Sequence, residues 1–390
     1  MLPGPAAIAP VYLRTCAAGQ SRYVCPALPP MPPNAPITMQ DIADRAKVCK
    51  STVSLALRNS RKISQEKRER VQALAREMGY RPNPLVSAHM AFLRTIGPVK
   101  KSGQCIAFVG HRDLADLDTD TLTPLQLYHS GAKARANEIG YELELFNLFG
   151  PGMSGRRLSQ IMIARGISGV IIGPLSEGMG LTDVSLDWDA FAMAMIEHTF
   201  IKPRLHKVCN DEISTIGRLI QRLLDYGFER IGIAMPGHMD EHANHYWLAG
   251  FQTYQALAAS AHRVPHLITS NWGKEQFLKW HKRWKPEAII TIGNDCVRWL
   301  REAGVRVPEE VSCATLYWKK NRPHLSGYYQ NHEKMAAAAV DLVVEQINRN
   351  ERGLPESEKT ILIQAEWKDG STVRPRVDVP EAEPLLVWKR

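Results

Sequence analysis

A chain of 390 residues, 44% hydrophobic and 23% charged, has globular composition and length enough for two or three cores, which excludes a fibrous or wholly disordered protein. Its 7 cysteines are scattered with no C-x-x-C pair, against both a disulfide framework and a zinc ribbon, and no apolar run approaches the roughly 18 residues of a membrane helix. Charge is uneven: residues 1–101 hold 16 Lys+Arg against 5 Asp+Glu, and residues 102–390 hold 33 against 35, so the +9 excess sits where a polyanion would dock.

Prolines at 3, 5, 10, 26, 29, 30, 32, 33 and 36 predict a disordered extension over residues 1–36. An over-long start fits equally, with Met31 and Met39 available inside. Pro10 interrupts the mildly apolar Ala6–Leu13 stretch and no basic residue precedes it, which argues against a secretory signal.

Residues 37–83 read as three short helices. Thr38-x-x-Asp41 is a capping box opening the first, with Ile42, Ala43 and Ala46 inward. Lys47-Val48-Cys49 makes a turn, and a second helix runs from Lys50 to Arg58 with Val53, Ala56 and Leu57 inward. That leaves Lys50, Ser51, Thr52, Ser54 and Leu55 facing outward or toward the rim. Small polar and basic residues at an exposed helix N-terminus fit a major groove; bulky apolar ones do not. Ser64 caps a third helix with Val71, Leu74, Ala75 and Met78 at i, i+3, i+4 and i+7; Gly79 supplies a left-handed cap and Pro82 blocks continuation.

This segment resembles the helix-turn-helix head of LacI/GalR-type transcriptional regulators. The matching pieces are Asp41-Ile42-Ala43, Val48, Thr52-Val53-Ser54, Ile63-Ser64, Arg70-Val71 and Tyr80-x-Pro82-Asn83. The resemblance implies that Lys50 and Ser51 read base edges and that Thr52, Ser54 and Asn59 lie near phosphates. Thr38, Lys62, Tyr80 and Asn83 join the expected DNA-facing set. Three departures stand out. Cys49 replaces a capping serine with a weaker acceptor. Leu55 replaces a basic reader, exchanging a hydrogen bond to guanine for contact with a thymine methyl. Lys47 replaces a turn glycine. The operator should therefore differ from those of better-known members.

A hinge helix that wedges into the minor groove is implied after Asn83, over Pro84–Leu93 within residues 84–103. His89 stands at the wedge position, with Met90 and Leu93 as apolar alternatives; a linker helix packing against its dimer mate is the other reading.

From residue 104 strands and helices alternate. Strands are expected at 105–109, 142–146, 169–172, 191–196, 230–234, 267, 288–292 and 311–316. Helices are expected at 124–139, 155–165, 212–226, 245–257, 275–285, 295–303 and 334–349. Alternation at this spacing predicts parallel sheets covered on both faces, and two series of elements predict two Rossmann-like lobes with a cleft between them. The fold class is thus an all-α helix-turn-helix head followed by α/β. The resemblance adds a type I periplasmic-binding-protein-like body over 104–375, dimeric and joined by three crossovers, with a tail over 376–390. Its pieces include Gly166–Ile172, Val208–Asp211, Arg230–Ala234, Leu248–Phe251, Thr291–Asp295 and Gly304–Ser312.

The cleft departs most from the family. Trp247 stands where sugar-binding members carry arginine, and Tyr317-Trp318 replaces an aspartate pair, while Asn294 and Asp295 remain. Without those forks the sugar hydroxyls lose their holders; the indoles and phenol suit stacking on a flat sugar face or an aromatic ligand. Tyr246, Trp247, Asn294, Asp295, Tyr317 and Trp318 are the candidate effector residues. Alternatively the aromatics fill the cleft and leave no effector site.

Three other constellations are set aside. His238–His245 is rich in metal-capable groups, but its Glu-His-x-x-His order is not a zinc-protease pattern, and a polar cleft rim is expected. Gly150–Gly155 lacks the Lys-Ser/Thr of a phosphate loop. Trp272, Trp280 and Trp284 at helical spacing read as a half-buried stripe beside a solvated basic face. No catalytic set, metal or cofactor is expected. The expectation is a DNA-binding regulator acting as a homodimer on a palindromic operator, as a repressor, with a sugar or other polar or aromatic metabolite as effector. A regulator without effector and a solute-binding transport protein are its rivals.

Overall fold

The computed structural model describes residues 37–57, 62–80, 104–111, 123–174, 186–198 and 203–377. The expectations for the 1–36 extension, the hinge, Asn59, Asn83, His89 and Met90 lie outside the described residues. Two compact units form. Among the described residues one holds 37–57 and 63–80, and the other holds 104–377.

The head comprises α1 (Met39–Ala46), α2 (Lys50–Leu57) and α3 (Gln65–Glu77). Its core is small: Ile42, Ala43, Ala46, Val53, Ala56, Val71 and Ala75 are buried, with Leu57, Leu74 and Met78 only half-buried against them. The Thr38–Asp41 box forms as read, with Thr38 N donating to Asp41 at 2.7 Å and Asp41 N to Thr38 Oγ1 at 3.4 Å. Gly79 takes φ +72° beyond the end of α3, a conformation without steric cost only for glycine.

The larger unit holds two six-stranded sheets. Its first lobe contains β1 (Cys105–Gly110), α4 (Pro124–Glu138), β2 (Glu142–Asn147), α5 (Gly155–Ala164), β3 (Gly169–Ile172), β4 (Ala192–Ile196) and β5 (His206–Asn210). The second contains α6 (Glu212–Asp225), β6 (Ile231–Pro236), α7 (Gly237–His242), α8 (Tyr246–Leu257), β7 (Leu267–Thr269), α9 (Lys274–Trp284), β8 (Ala288–Thr291), α10 (Asp295–Glu302), β9 (Ser312–Thr315) and β10 (Ser326–Tyr329). The chain then returns through α11 (His332–Arg349) and β11 (Thr360–Ile363) to the first lobe, and ends in β12 (Glu366–Lys368) in the second.

Strand order is β11-β5-β4-β3-β1-β2 in one sheet and β12-β10-β9-β8-β6-β7 in the other, parallel throughout except for β12, which runs antiparallel to β10. Each lobe is therefore wound the same way, its order reversing at its first strand. Ligands of such sheets collect beyond the carboxyl ends of the strands. The chain passes between lobes three times: after β5, after β10, and between β11 and β12.

Alternate residues explain the double covering. In the first lobe Ile106, Phe108 and Ile171 face α4 and α11, while Ala107, Val109, Val170 and Ile172 face α5. In the second, Ile231, Ile233 and Ile290 pack beneath α6 and α8, while Ile289 and Cys313 meet α9 and α10. At Gly131 a Cβ would stand 2.3 Å from the Glu333 carbonyl oxygen, so α4 and α11 touch backbone to backbone.

The sequence reading omits β5, β10, β11 and β12, and starts α11 two residues late. The omitted strands are short, and their ends or centres are polar: His206 and Lys207 open β5, Ser326-Gly327 open β10. Neighbouring strands bury β5 and β10, while β11 and β12 lie at sheet edges and stay partly exposed; no local pattern announces either outcome.

Candidate DNA-reading surface and interlobe site

The head's reading surface follows from how little of α2 is buried. Val53 and Ala56 are its buried residues; Lys50 and Ser51 are exposed at its start, and Thr52, Ser54 and Leu55 are half-buried. α3 braces the two helix ends before it: Arg70 Nη2 donates to the Ala46 carbonyl at 2.7 Å and Gln72 Nε2 to that of Ala56 at 2.8 Å, satisfying carbonyls that α1 and α2 leave unpaired. Lys47 carries the turn with φ 52°, ψ 46°, so a side chain occupies the left-handed conformation that glycine adopts freely.

Cys49 is more than a weakened cap. Its sulfur lies 3.0 Å from both Ser51 Oγ and Thr52 Oγ1 at the amino end of α2. These two hydroxyls, helped by the Thr52 backbone N–H, favour the thiolate and bring the thiol down to about 7. Two residues expected at DNA are thus also engaged with Cys49, and the Thr38 hydroxyl is engaged with Asp41 at 2.7 Å. Lys62 and Tyr80 flank α3, the former exposed and the latter half-buried.

In the body, the carboxyl ends of the strands converge from both lobes. Glu197 follows β4 directly, at φ 64°, and accepts from the Tyr128 hydroxyl of α4. Glu212 opens α6, is buried, and accepts from the indole N–H of Trp247 on α8 at 2.6 Å. Burial, then the neighbouring Glu197, pushes Glu212 up to about 8; burial also raises Glu197. Trp247, only 3% exposed, therefore fills space and occupies a carboxylate. The Tyr317 hydroxyl is 3.2 Å from His332 Nε2, and His332, buried beside Tyr128, is driven down to about 4 by desolvation.

Tyr317 and Trp318 line a cavity of about 260 Å³ whose other walls include Leu127, Lys319, Tyr329 and His332. The remaining candidates sit elsewhere. Tyr246 packs edge-on against His198. Asn294 Oδ1 is 3.2 Å from His324 Nε2. Asp295 is exposed and pairs with Arg298 on its own helix at 2.9 Å, so the expected carboxylate of the cleft is spent on the surface. Glu197, Glu212, Tyr128 and His332 are absent from the sequence-derived set. Glu197 alone carried a usable signal, a charge at the carboxyl end of a predicted parallel strand.

The histidine-rich segment serves packing and capping: Asp240 is 3.0 Å from His245 Nδ1 and accepts the Leu248 N–H at 3.0 Å, tying α7 to α8. Among the described residues no group of three or more His, Cys, Asp or Glu is placed to hold a metal, and no helix is long and apolar enough to cross a membrane. Trp280 is buried and bonds the Pro265 carbonyl at 2.8 Å, while Trp272, Phe277 and Trp299 pack together.

A basic helix-turn-helix head followed by a bilobal body with a lined cleft defines a DNA-binding transcriptional regulator. Residues 38–83 match the model of bacterial regulatory proteins of the lacI family, and residues 220–373 match that of the periplasmic binding protein-like domain. The chain thus carries a DNA-binding head of the lacI type and a periplasmic binding protein-like domain. It is 22% identical over 340 residues to catabolite control protein A of Staphylococcus xylosus, covering 81% of this chain and 94% of that protein. Over 48 residues, 12% of this chain and 14% of the other, it is 54% identical to the repressor CytR of Escherichia coli K12. The solved lac repressor dimer bound to operator and the anti-inducer ONPF superposes with a TM-score of 0.50 at 17% identity, covering 87% of this chain and 99% of that one, and shares the fold.

Proposed function

We propose that this chain is a transcriptional repressor that binds a near-palindromic operator as a homodimer in the bacterial cytoplasm, under control of a small molecule held between its lobes. The observation that carries this reading is the exposed start of α2, with Lys50 and Ser51, in a chain whose first 101 residues hold its entire positive excess. Lys50 and Ser51 reach base edges, Leu55 meets a thymine methyl, and Thr52, Ser54, Asn59 and Lys62 lie along phosphates, with Thr38, Tyr80 and Asn83 at the margins. His89 or Met90 enters the minor groove from the hinge. The domain limits follow: extension 1–36, head 37–83, hinge 84–103, body 104–375 and tail 376–390.

Regulation requires that the effector bind one arrangement of the lobes better than another. The three interlobe passages are where such a change would be absorbed. Selecting bound duplexes from random DNA tests the reading: an inverted repeat with half-sites about one helical turn apart is expected. Equal, weak binding to every duplex at moderate ionic strength would refute it.

A further inference from the structure

The cavity beside Tyr317 has an unusual wall. Tyr317, Trp318 and Tyr329 present aromatic surface, and Leu127 from α4 closes the apolar side. Its volume of about 260 Å³ exceeds the about 150 Å³ that admits benzene in an engineered apolar cavity, so a one- or two-ring molecule fits.

The charges of that wall do not balance. Lys320 is paired with Glu333 at 3.1 Å, and the same carboxylate accepts from the Tyr329 hydroxyl. Lys319 is half-buried and has no carboxylate partner among the described residues; its ammonium lies 5.2 Å from the centre of the Tyr317 ring. Desolvation, then repulsion from Arg322, makes its charged form costly. His332 adds no charge at neutral pH. Behind Tyr317, Glu212 is largely protonated at neutral pH and Glu197 is shifted in the same direction. Trp318 Nε1 and His332 Nδ1 are buried without hydrogen-bond partners among the described residues.

We propose that this cavity takes a small planar aromatic carboxylate, its ring against Tyr317 and Trp318 and its carboxylate on the Lys319 ammonium. This rests on the reading that the cleft holds an effector, and names its class. An aromatic amine would face an uncompensated like charge at Lys319. A sugar would find neither a guanidinium nor a free carboxylate fork in this wall to hold paired hydroxyls. A carboxylate gives the half-buried cation the partner it lacks, and such a charge-assisted bond discriminates strongly against neutral isosteres.

The test is calorimetric titration and thermal shift of the full chain with benzoate, 4-hydroxybenzoate and 1-naphthoate, against benzamide, benzylamine, glucose and adenine. At least one carboxylate is expected to bind about tenfold or more tightly than benzamide. Lys319→Met should lose about tenfold in affinity for it, and Lys319→Arg should retain most of it. Should Lys319→Met fold poorly, the benzoate–benzamide ratio and the arginine variant still decide. Tighter binding of benzylamine, or a Lys319→Met protein unchanged in affinity, overturns the proposal. A response confined to glucose or adenine overturns the ligand class while supporting a cleft effector. Silence from every compound in a protein that still binds its operator overturns both.

Discussion

The head and the body place their working residues in opposite ways. On the head most of them are exposed or half-buried side chains of one short helix, held by a small core of Ile42 with valines and alanines. In the body they are buried or half-buried, and they come from segments far apart in the chain: Glu197, Glu212, Trp247, Tyr317 and His332. A surface that reads a charged polymer works in water with unpaired cations, whereas a pocket must desolvate its polar groups and satisfy most of them internally. The head is therefore sensitive to single exposed charges, and the body to packing and protonation.

That contrast can be broken most forcefully from within the head. Val53→Asp buries a carboxylate in a core with little else to hold it, a cost of more than about 4 kcal/mol. Operator binding should vanish while the body's thermal transition stays in place; a joint shift of both transitions would show that the two units are not independent. The reciprocal test is Gly131→Ala, which drives a methyl into the α11 backbone at Glu333. It should cost the body about 1–3 kcal/mol, read by calorimetry, and leave the head's own thermal transition in place.

Two lysines separate reading from gripping. Lys50→Ala should lose about 1–3 kcal/mol at one operator position and relax the base preference there. Lys62→Ala should weaken all duplexes alike and reduce the salt slope by about 1. Equal effects of the two on specificity would dissolve the distinction.

Protonation should mark the body. Glu212 is raised to about 8 in the folded protein, so the native state binds more protons than the unfolded chain between about 4.5 and 8. Its contribution is complete at low pH and is lost as pH rises through 8. His332, lowered to about 4, acts oppositely, but only below its ordinary value of 6.5. Between pH 6.5 and 8 the body's Tm should therefore fall, and Glu212→Gln should flatten that fall; an unchanged slope would remove Glu212 as its source. The smallest effect is expected at Lys47→Gly, which relieves the left-handed turn and should stabilise the head by about 1 kcal/mol, measured by denaturant unfolding.

Much of the head was legible because its signals are local. The Thr38–Asp41 box, the Ser64 cap and the Gly79 terminus each act within one helical turn, and the amphipathic spacing of α3 does the rest. The alternation of the body was equally readable where strands are apolar throughout, as at Gly169–Ile172. It failed at His206–Asn210 and Ser326–Tyr329, whose polar residues reveal nothing until neighbouring strands cover them, and at the two last strands, which are short and partly exposed at the sheet edges. In the cleft, the residue types replacing arginine and aspartate were visible, but not that Asp295 would turn to Arg298 or that Trp247 would cap Glu212.

By itself, then, the order of residues determined a basic DNA-reading head, a doubly wound two-lobed body and an aromatic cleft, because helix caps, periodicity and charge are written in neighbouring positions. Only the tertiary structure decided which of those aromatics face a cavity, which carboxylates are buried, and which lysine of the cavity wall lacks a carboxylate partner among the described residues. Those outcomes depend on desolvation and pairing between residues up to about two hundred positions apart, as when Tyr128 on α4 and Tyr317 beyond β9 meet the same His332.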